Sequence, residues 1–173
     1  MNKAKYWWKI AFLIMSSAIL LLDQISKAWA SWKLQADGDV NVISNFLNFI
    51  YAENTGAAFS FLDNHSAFAR WGFSVVASIA VTAVFYFFWK TSVSNRLTLG
   101  ALSLLLAGIS GNLIDRVRLG YVVDFIQVHY KDWYYPTMNV ADIAICVGAG
   151  LLILDLFFNS KKEATNQLLP VNN

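Results

Sequence analysis

The chain is short of the residues from which many soluble enzymes assemble a site. Cys146 is its one cysteine, which excludes an intrachain disulfide and a cysteine-based metal cluster. The two histidines, His65 and His129, stand too far apart for a local zinc motif such as H-E-x-x-H, so no metal is expected. Charge is also scarce. Only 14% of the residues are charged against 57% hydrophobic, with a mean hydropathy of +0.48, a balance wrong for a soluble globule of this length. The net charge of +2 is small and the basic residues form no stripe with interleaved aromatics, so no nucleic-acid partner is indicated. No linker, repeat or low-complexity stretch divides the chain. One membrane domain over 1–160 and a polar cytoplasmic tail over 161–173, expected to be disordered, account for it.

What the chain has in quantity is long apolar runs. A helix needs about 20 mainly apolar residues to cross roughly 30 Å of hydrocarbon, and four stretches qualify, at about 10–30, 68–89, 97–114 and 140–158. An even count puts both termini on one side. Lys3, Lys5, Lys9, Lys90, Arg96, Lys161 and Lys162 mark that side as cytoplasmic by the positive-inside rule. Segments 31–67 and 115–139, which carry Asp37, Asp39, Glu53, Asp63, Asp115, Asp124 and Asp132, are expected to face outward. The basic start, the apolar core and Ala28-x-Ala30 imitate a cleavable secretory signal. Asp23 and Lys27, however, put charge where such a site wants small neutral residues, and the first span is expected to be retained. The fold class expected is an all-α integral membrane protein of four transmembrane helices. A small extracytoplasmic β-rich region at the membrane surface is expected from Val40 to Phe61, where β-branched and aromatic residues partly alternate.

An ionisable residue inside a span costs about 2.5 to 3.5 kcal/mol at the helix centre and is a functional candidate by default. Here such residues gather at one level. Asp23 and Lys27 are four apart on the first helix and can pair. Gly108, Asn112 and Asp115 share a face of the third, with Arg116 beside it, and Asn139 and Asp142 open the fourth. Asp124, read as a residue of the outer loop, can reach the same level. Each also has a plain structural reading. Asp23 and Lys27 can be an ion pair holding a helix end, Asn112 and Asn139 interhelical hydrogen-bonding residues, Gly108 a close-packing position, and Asp115 a neutralising partner for Arg116. Asp155 is expected to meet the cytoplasmic interface.

The chemistry narrows by what is missing. "GISGN" at 108–112 is not G-x-S-x-G, and Ser26 and Lys27, as helix neighbours, point about 100° apart. Cys146 lies about a turn deeper than Asp142 and has no histidine near it in sequence. Two carboxylates that share a site cannot both ionise easily, so the pair holds a proton. The charged member can then activate water while the neutral one protonates a scissile carbonyl, which is aspartic protease chemistry. A small proton- or ion-coupled transporter with intramembrane acids remains a rival on composition and placement alone.

The polar motifs come in a set order: "DQISK" at 23–27, "ENTGAAFS" at 53–60, "GISGNLIDR" at 108–116, "VVDFI" at 122–126 and "NVAD" at 139–142. On a four-span frame they resemble the bacterial lipoprotein signal peptidases, or signal peptidase II, from about Ile10 to Phe158. The resemblance implies an aspartic endopeptidase of the bacterial cytoplasmic (inner) membrane, with Asp124 and Asp142 as the catalytic pair at the extracytoplasmic face. It implies cleavage of prolipoproteins on the N-terminal side of a diacylglyceryl-modified cysteine, without metal or cofactor, and inhibition by globomycin. Asp23, Lys27, Asn54, Gly56, Gly108, Asn112, Asp115, Arg116 and Asn139 are then expected to line or support the site. The chain is expected to work as a monomer among membrane lipid. Met138 stands where the family more usually has an aromatic residue, which bears on pocket shape rather than on chemistry.

Overall fold

The computed structural model describes residues 3–56 and 67–168, so the "AAFS" end of the motif at 53–60 lies outside the described residues. Along the chain come α1 (Lys3–Asp37), β1 (Val40–Ile43), β2 (Leu47–Asn54), α2 (Ala67–Lys90), α3 (Arg96–Arg118), β3 (Val122–Tyr130), β4 (Trp133–Tyr134) and α4 (Val140–Leu168). All four helices are long and apolar enough to span a membrane. The central one is α3. Of its most apolar stretch 44% is buried in the protein, against 11% for α1 and α2 and 17% for α4, and the other three helices pack around it. Gly108 makes its approach to α4 possible, because a Cβ there would run into the Ala141 carbonyl and the Ile145 side chain.

Three helices outrun the predicted spans. α1 continues to Asp37 because its last turns have an apolar surface to cover: Ala30 and Leu34, buried, pack with Phe125 of β3. α3 continues to Arg118, where Gly120 adopts φ +94 and its amide returns to the Arg116 carbonyl at 3.1 Å. That left-handed turn suits glycine and ends the helix. α4 runs to Leu168, so the tail expected to be disordered begins as helix, in keeping with the lysine, glutamate and alanine it contains.

The sheet is larger than predicted. β1 and β2 fall inside the expected β-rich segment, but β2 pairs antiparallel with β3, and β3 with β4, in the order β1-β2-β3-β4. Asp124, expected in a loop, is therefore a strand residue opposite Ala52. Between the pairs Phe49↔Ile126 and Ala52↔Asp124, β2 advances three residues and β3 two. This bulge, on β2 opposite the step from Asp124 to Ile126, changes the direction in which that strand presents its side chains. At the end of the bundle away from the sheet, Phe88, Leu99 and Leu102 form a second apolar core. There Thr98 Oγ1 donates to Asp155 at 2.7 Å, far along α4 from the polar residues of its first turn.

Candidate active site

Asp124 alternates with Val123 and Phe125 along β3, so its side chain leaves the pleat on the opposite side from the Phe125 ring that packs on α1. Beyond β4 the chain doubles back along β3. Tyr135 N donates to Val128 O at 2.9 Å, and Met138 and Ile126 exchange both backbone hydrogen bonds, at 2.9 and 2.8 Å. The next residue, Asn139, is thereby set beside Asp124 and caps α4. Its Oδ1 accepts from Asp142 N at 2.9 Å, while Asp142 Oδ2 accepts from Asn139 N at 3.2 Å. This is a reciprocal capping box with the acid three positions after the cap.

Asn139, fully buried, joins the two acids. Its Nδ2 donates to Asp124 Oδ1 at 2.6 Å and lies 3.2 Å from Asn112 Oδ1 and 3.3 Å from Val123 O. Asn112 Nδ2 in turn donates to Asp142 Oδ1 at 2.7 Å. The remaining Asp124 oxygen, Oδ2, accepts from Asn54 Nδ2 at 2.9 Å, and Asn54 Oδ1 accepts from Gly56 N at 2.9 Å. Gly56, at φ +85 and against the Phe73 ring, has no room for a Cβ. Asp124 itself is 2% exposed. Burial pushes its carboxyl up from the ordinary 3.8 to about 6. The Asn54 hydrogen bond works against this, the Asp142 charge adds to it, and Asn139 and Lys27 oppose it.

That shift has a sign that can be measured. A raised folded-state pKa means the fold favours the protonated acid, so stability is lost as pH rises from the unfolded value near 4 to about 6, at roughly 1.4 kcal/mol per unit. Asp124→Asn removes the penalty. The melting temperature of the variant in detergent, relative to the parent, should rise between pH 4 and pH 7. A difference independent of pH would contradict the burial argument.

Beneath this pair lies a second polar cluster. Lys27 Nζ donates to Asn112 Oδ1 at 2.9 Å and sits 3.0 Å from both Asp23 Oδ2 and Asp115 Oδ2. Asp23 Oδ1 accepts from Ala141 N at 2.9 Å, in the first turn of α4, and Asp115 Oδ2 from Val123 N at 3.1 Å. Asp23 and Lys27 thus do pair, but the ammonium is shared with Asp115. Among the described residues Asp115 forms its ion pair with Lys27 rather than with its neighbour Arg116, because the helix turns it toward α1. Arg116 instead donates to the Asn112 carbonyl at 3.3 Å and lies over the Phe73 ring at 5.5 Å.

Two supporting residues escape the sequence reading. Gln24 Nε2 reaches Asp115 Oδ1, Asp23 Oδ2 and Gly111 O at 3.1, 3.2 and 3.3 Å. Its position inside "DQISK" was the available signal. Arg70 Nε donates to Arg116 O at 3.0 Å and Nη2 to Val117 O, covering the carbonyls at the end of α3. A lone cation at the start of an apolar run was its only mark.

Comparison with known proteins accounts for this arrangement. The family model for signal peptidase (SPase) II matches residues 15–158. A lipoprotein signal peptidase of Actinobacillus succinogenes is 40% identical over 91% of this chain and 96% of its own length. One from Pseudomonas fluorescens strain Pf0-1 is 44% identical over 92% and 95%. A bacterial membrane enzyme whose structure was determined by the in meso method at 1.9 Å superposes with a TM-score of 0.76 and 32% identity, over 84% of this chain and 92% of that one. Five motifs in order, four membrane-spanning helices and relatives matched over nearly their full length agree, and this multi-pass membrane protein belongs to the signal peptidase II family.

Proposed function

We propose that the protein is an aspartic endopeptidase that removes the signal peptide from diacylglyceryl-modified prolipoproteins, with Asp124 and Asp142 as its catalytic pair. The observation that carries this reading is the joining of the two carboxylates through Asn139 in a chain of this family. In the reaction, the ionised member of the pair takes a proton from water as the water oxygen attacks the scissile carbonyl carbon. The protonated member gives its proton to the carbonyl oxygen. Collapse of the resulting diol transfers a proton to the leaving nitrogen and breaks the C–N bond. The products are a signal peptide with a free carboxyl group and a lipid-modified cysteine with a free amine. Asn139 and Asn112 hold the acids in place throughout and take no proton themselves. The positive-inside pattern supports a cytoplasmic location for both termini and, with it, the reading of the sheet and the acids as facing outward from the inner membrane. A substrate held by its acyl chains presents its scissile bond near that depth.

The deciding experiment offers purified protein the same precursor with and without its diacylglyceryl group. Cleavage N-terminal to the cysteine is expected for the modified form, with little or none for the other. Equal cleavage of both would remove the lipid from the recognition, and cleavage of neither would remove the function.

A further inference from the structure

Beside the acid pair, an apolar cavity of about 490 Å³ opens between α4 and the returning segment from Tyr135 to Met138. Asp142, Ile143, Cys146 and Val147 form its α4 wall, with Tyr135 and Met138 across from them. Asp142 and Cys146 are four residues apart, about 6 Å along the helix axis. The groove therefore starts at a carboxylate of the pair and runs a turn into the apolar span. Ile143 and Val147 are 42% and 48% exposed, which leaves the groove open along the side that faces lipid.

We propose that this groove receives an acyl chain of the lipid-modified cysteine, an assignment that rests on the function proposed above. The bond to be cut adjoins the modified cysteine, so its thioether-linked lipid must leave the acid pair toward the bilayer, and this groove is an apolar path that begins at Asp142. Its walls also discriminate against peptide. Tyr135 N and Met138 N already donate to Val128 O and Ile126 O, and Met138 O accepts from Phe125 N and Ile126 N. Pro136 has no amide hydrogen, and the α4 backbone is hydrogen-bonded within its helix. An extended peptide here would find few backbone partners for its amide groups, which are costly to leave unpaired in hydrocarbon. An alkyl chain has no such groups. Met138, an unbranched and adaptable thioether, lines the groove and bears on the chain lengths accepted.

The single cysteine makes the test direct, because Cys146 is exposed on the groove wall. In an Asp124→Asn background, which retains substrate uncleaved, diacylglyceryl-modified precursor should slow alkylation of Cys146 by N-ethylmaleimide at least ~10-fold. Unmodified precursor at the same concentration should not, and Cys146→Ser supplies the labelling blank. In otherwise unaltered enzyme, Cys146→Trp should raise KM for a dipalmitoyl precursor about 10-fold while changing it little for a dioctanoyl one. Equal protection by both precursors, or a loss independent of chain length, would assign the groove to the signal peptide and overturn the proposal, as would no protection by either. Parent enzyme that cleaves neither precursor would instead bring down the underlying function, a result read in the same preparation.

Discussion

Replacing either Asp124 or Asp142 by asparagine is expected to lower turnover of a diacylglyceryl-modified precursor by roughly 10³-fold or more, within or beyond the range for loss of a general acid or base. An amide cannot take a proton from water or deliver one to a carbonyl, so a single replacement leaves half of a proton-sharing pair. The two variants should nevertheless fold. At position 124 the amide oxygen can still accept from Asn139 Nδ2 or Asn54 Nδ2. At position 142 it can accept one of the bonds now given by Asn139 N and Asn112 Nδ2, at a cost of about 1 kcal/mol for a weakened helix cap. Turnover and thermal unfolding measured on the same detergent preparations separate the two effects. Near-parental activity in either folded variant would sink the assignment of the pair. The transporter reading, which family membership leaves without support, would require proton or ion flux into sealed vesicles and no peptide product.

Lys27→Met should destabilise the fold by about 3 to 5 kcal/mol, the usual cost of breaking a buried charge pair by removing one partner. The Lys27 side chain is 3% exposed, and its ammonium reaches three acceptors, Asp23 Oδ2, Asp115 Oδ2 and Asn112 Oδ1. Without it, two buried carboxylates would face each other with no cation between them. The melting temperature should fall by about 6 to 20 °C, using 2–4 °C per kcal/mol for a chain of this size. The double variant Lys27→Met with Asp23→Asn should lose less than the sum of the single changes, since the second change removes a charge the first left stranded. A Lys27→Met protein that melts with the parent would refute the structural role. Asp23→Asn alone should likewise lower stability more than it lowers turnover per folded molecule. A large loss of rate at unchanged stability would instead move Asp23 to the substrate.

These two clusters differ in how they could be read from the chain. The neighbours at short spacing were legible: Asp23 and Lys27 at i, i+4, and Asn139 and Asp142 at i, i+3, because helical geometry brings such pairs together wherever a helix forms. The partner of Asp115 is less legible for a related reason. Its sequence neighbour Arg116 is the obvious partner, yet adjacent helical residues point about 100° apart, and Asp115 turns to Lys27 on another helix. Asp124 is expected in a loop because it falls between the third and fourth spans. The strand around it became evident only with its pairing to β2, a contact between segments about 70 residues apart.

The sequence by itself determined that this is a four-span membrane protein, which family its motifs resemble and which two aspartates to single out. Those conclusions rest on local quantities: the length of apolar runs, the charge at their ends and short motifs in a set order. Only the tertiary structure decided that β3 is the strand carrying Asp124 and that Tyr135–Met138 folds back along it. It also decided that Asn139 joins the two acids, and that one lysine is shared between the first and third helices. No spacing rule fixes such contacts, because they depend on strand register, on the bulge in β2 and on how closely glycine lets α3 approach α4.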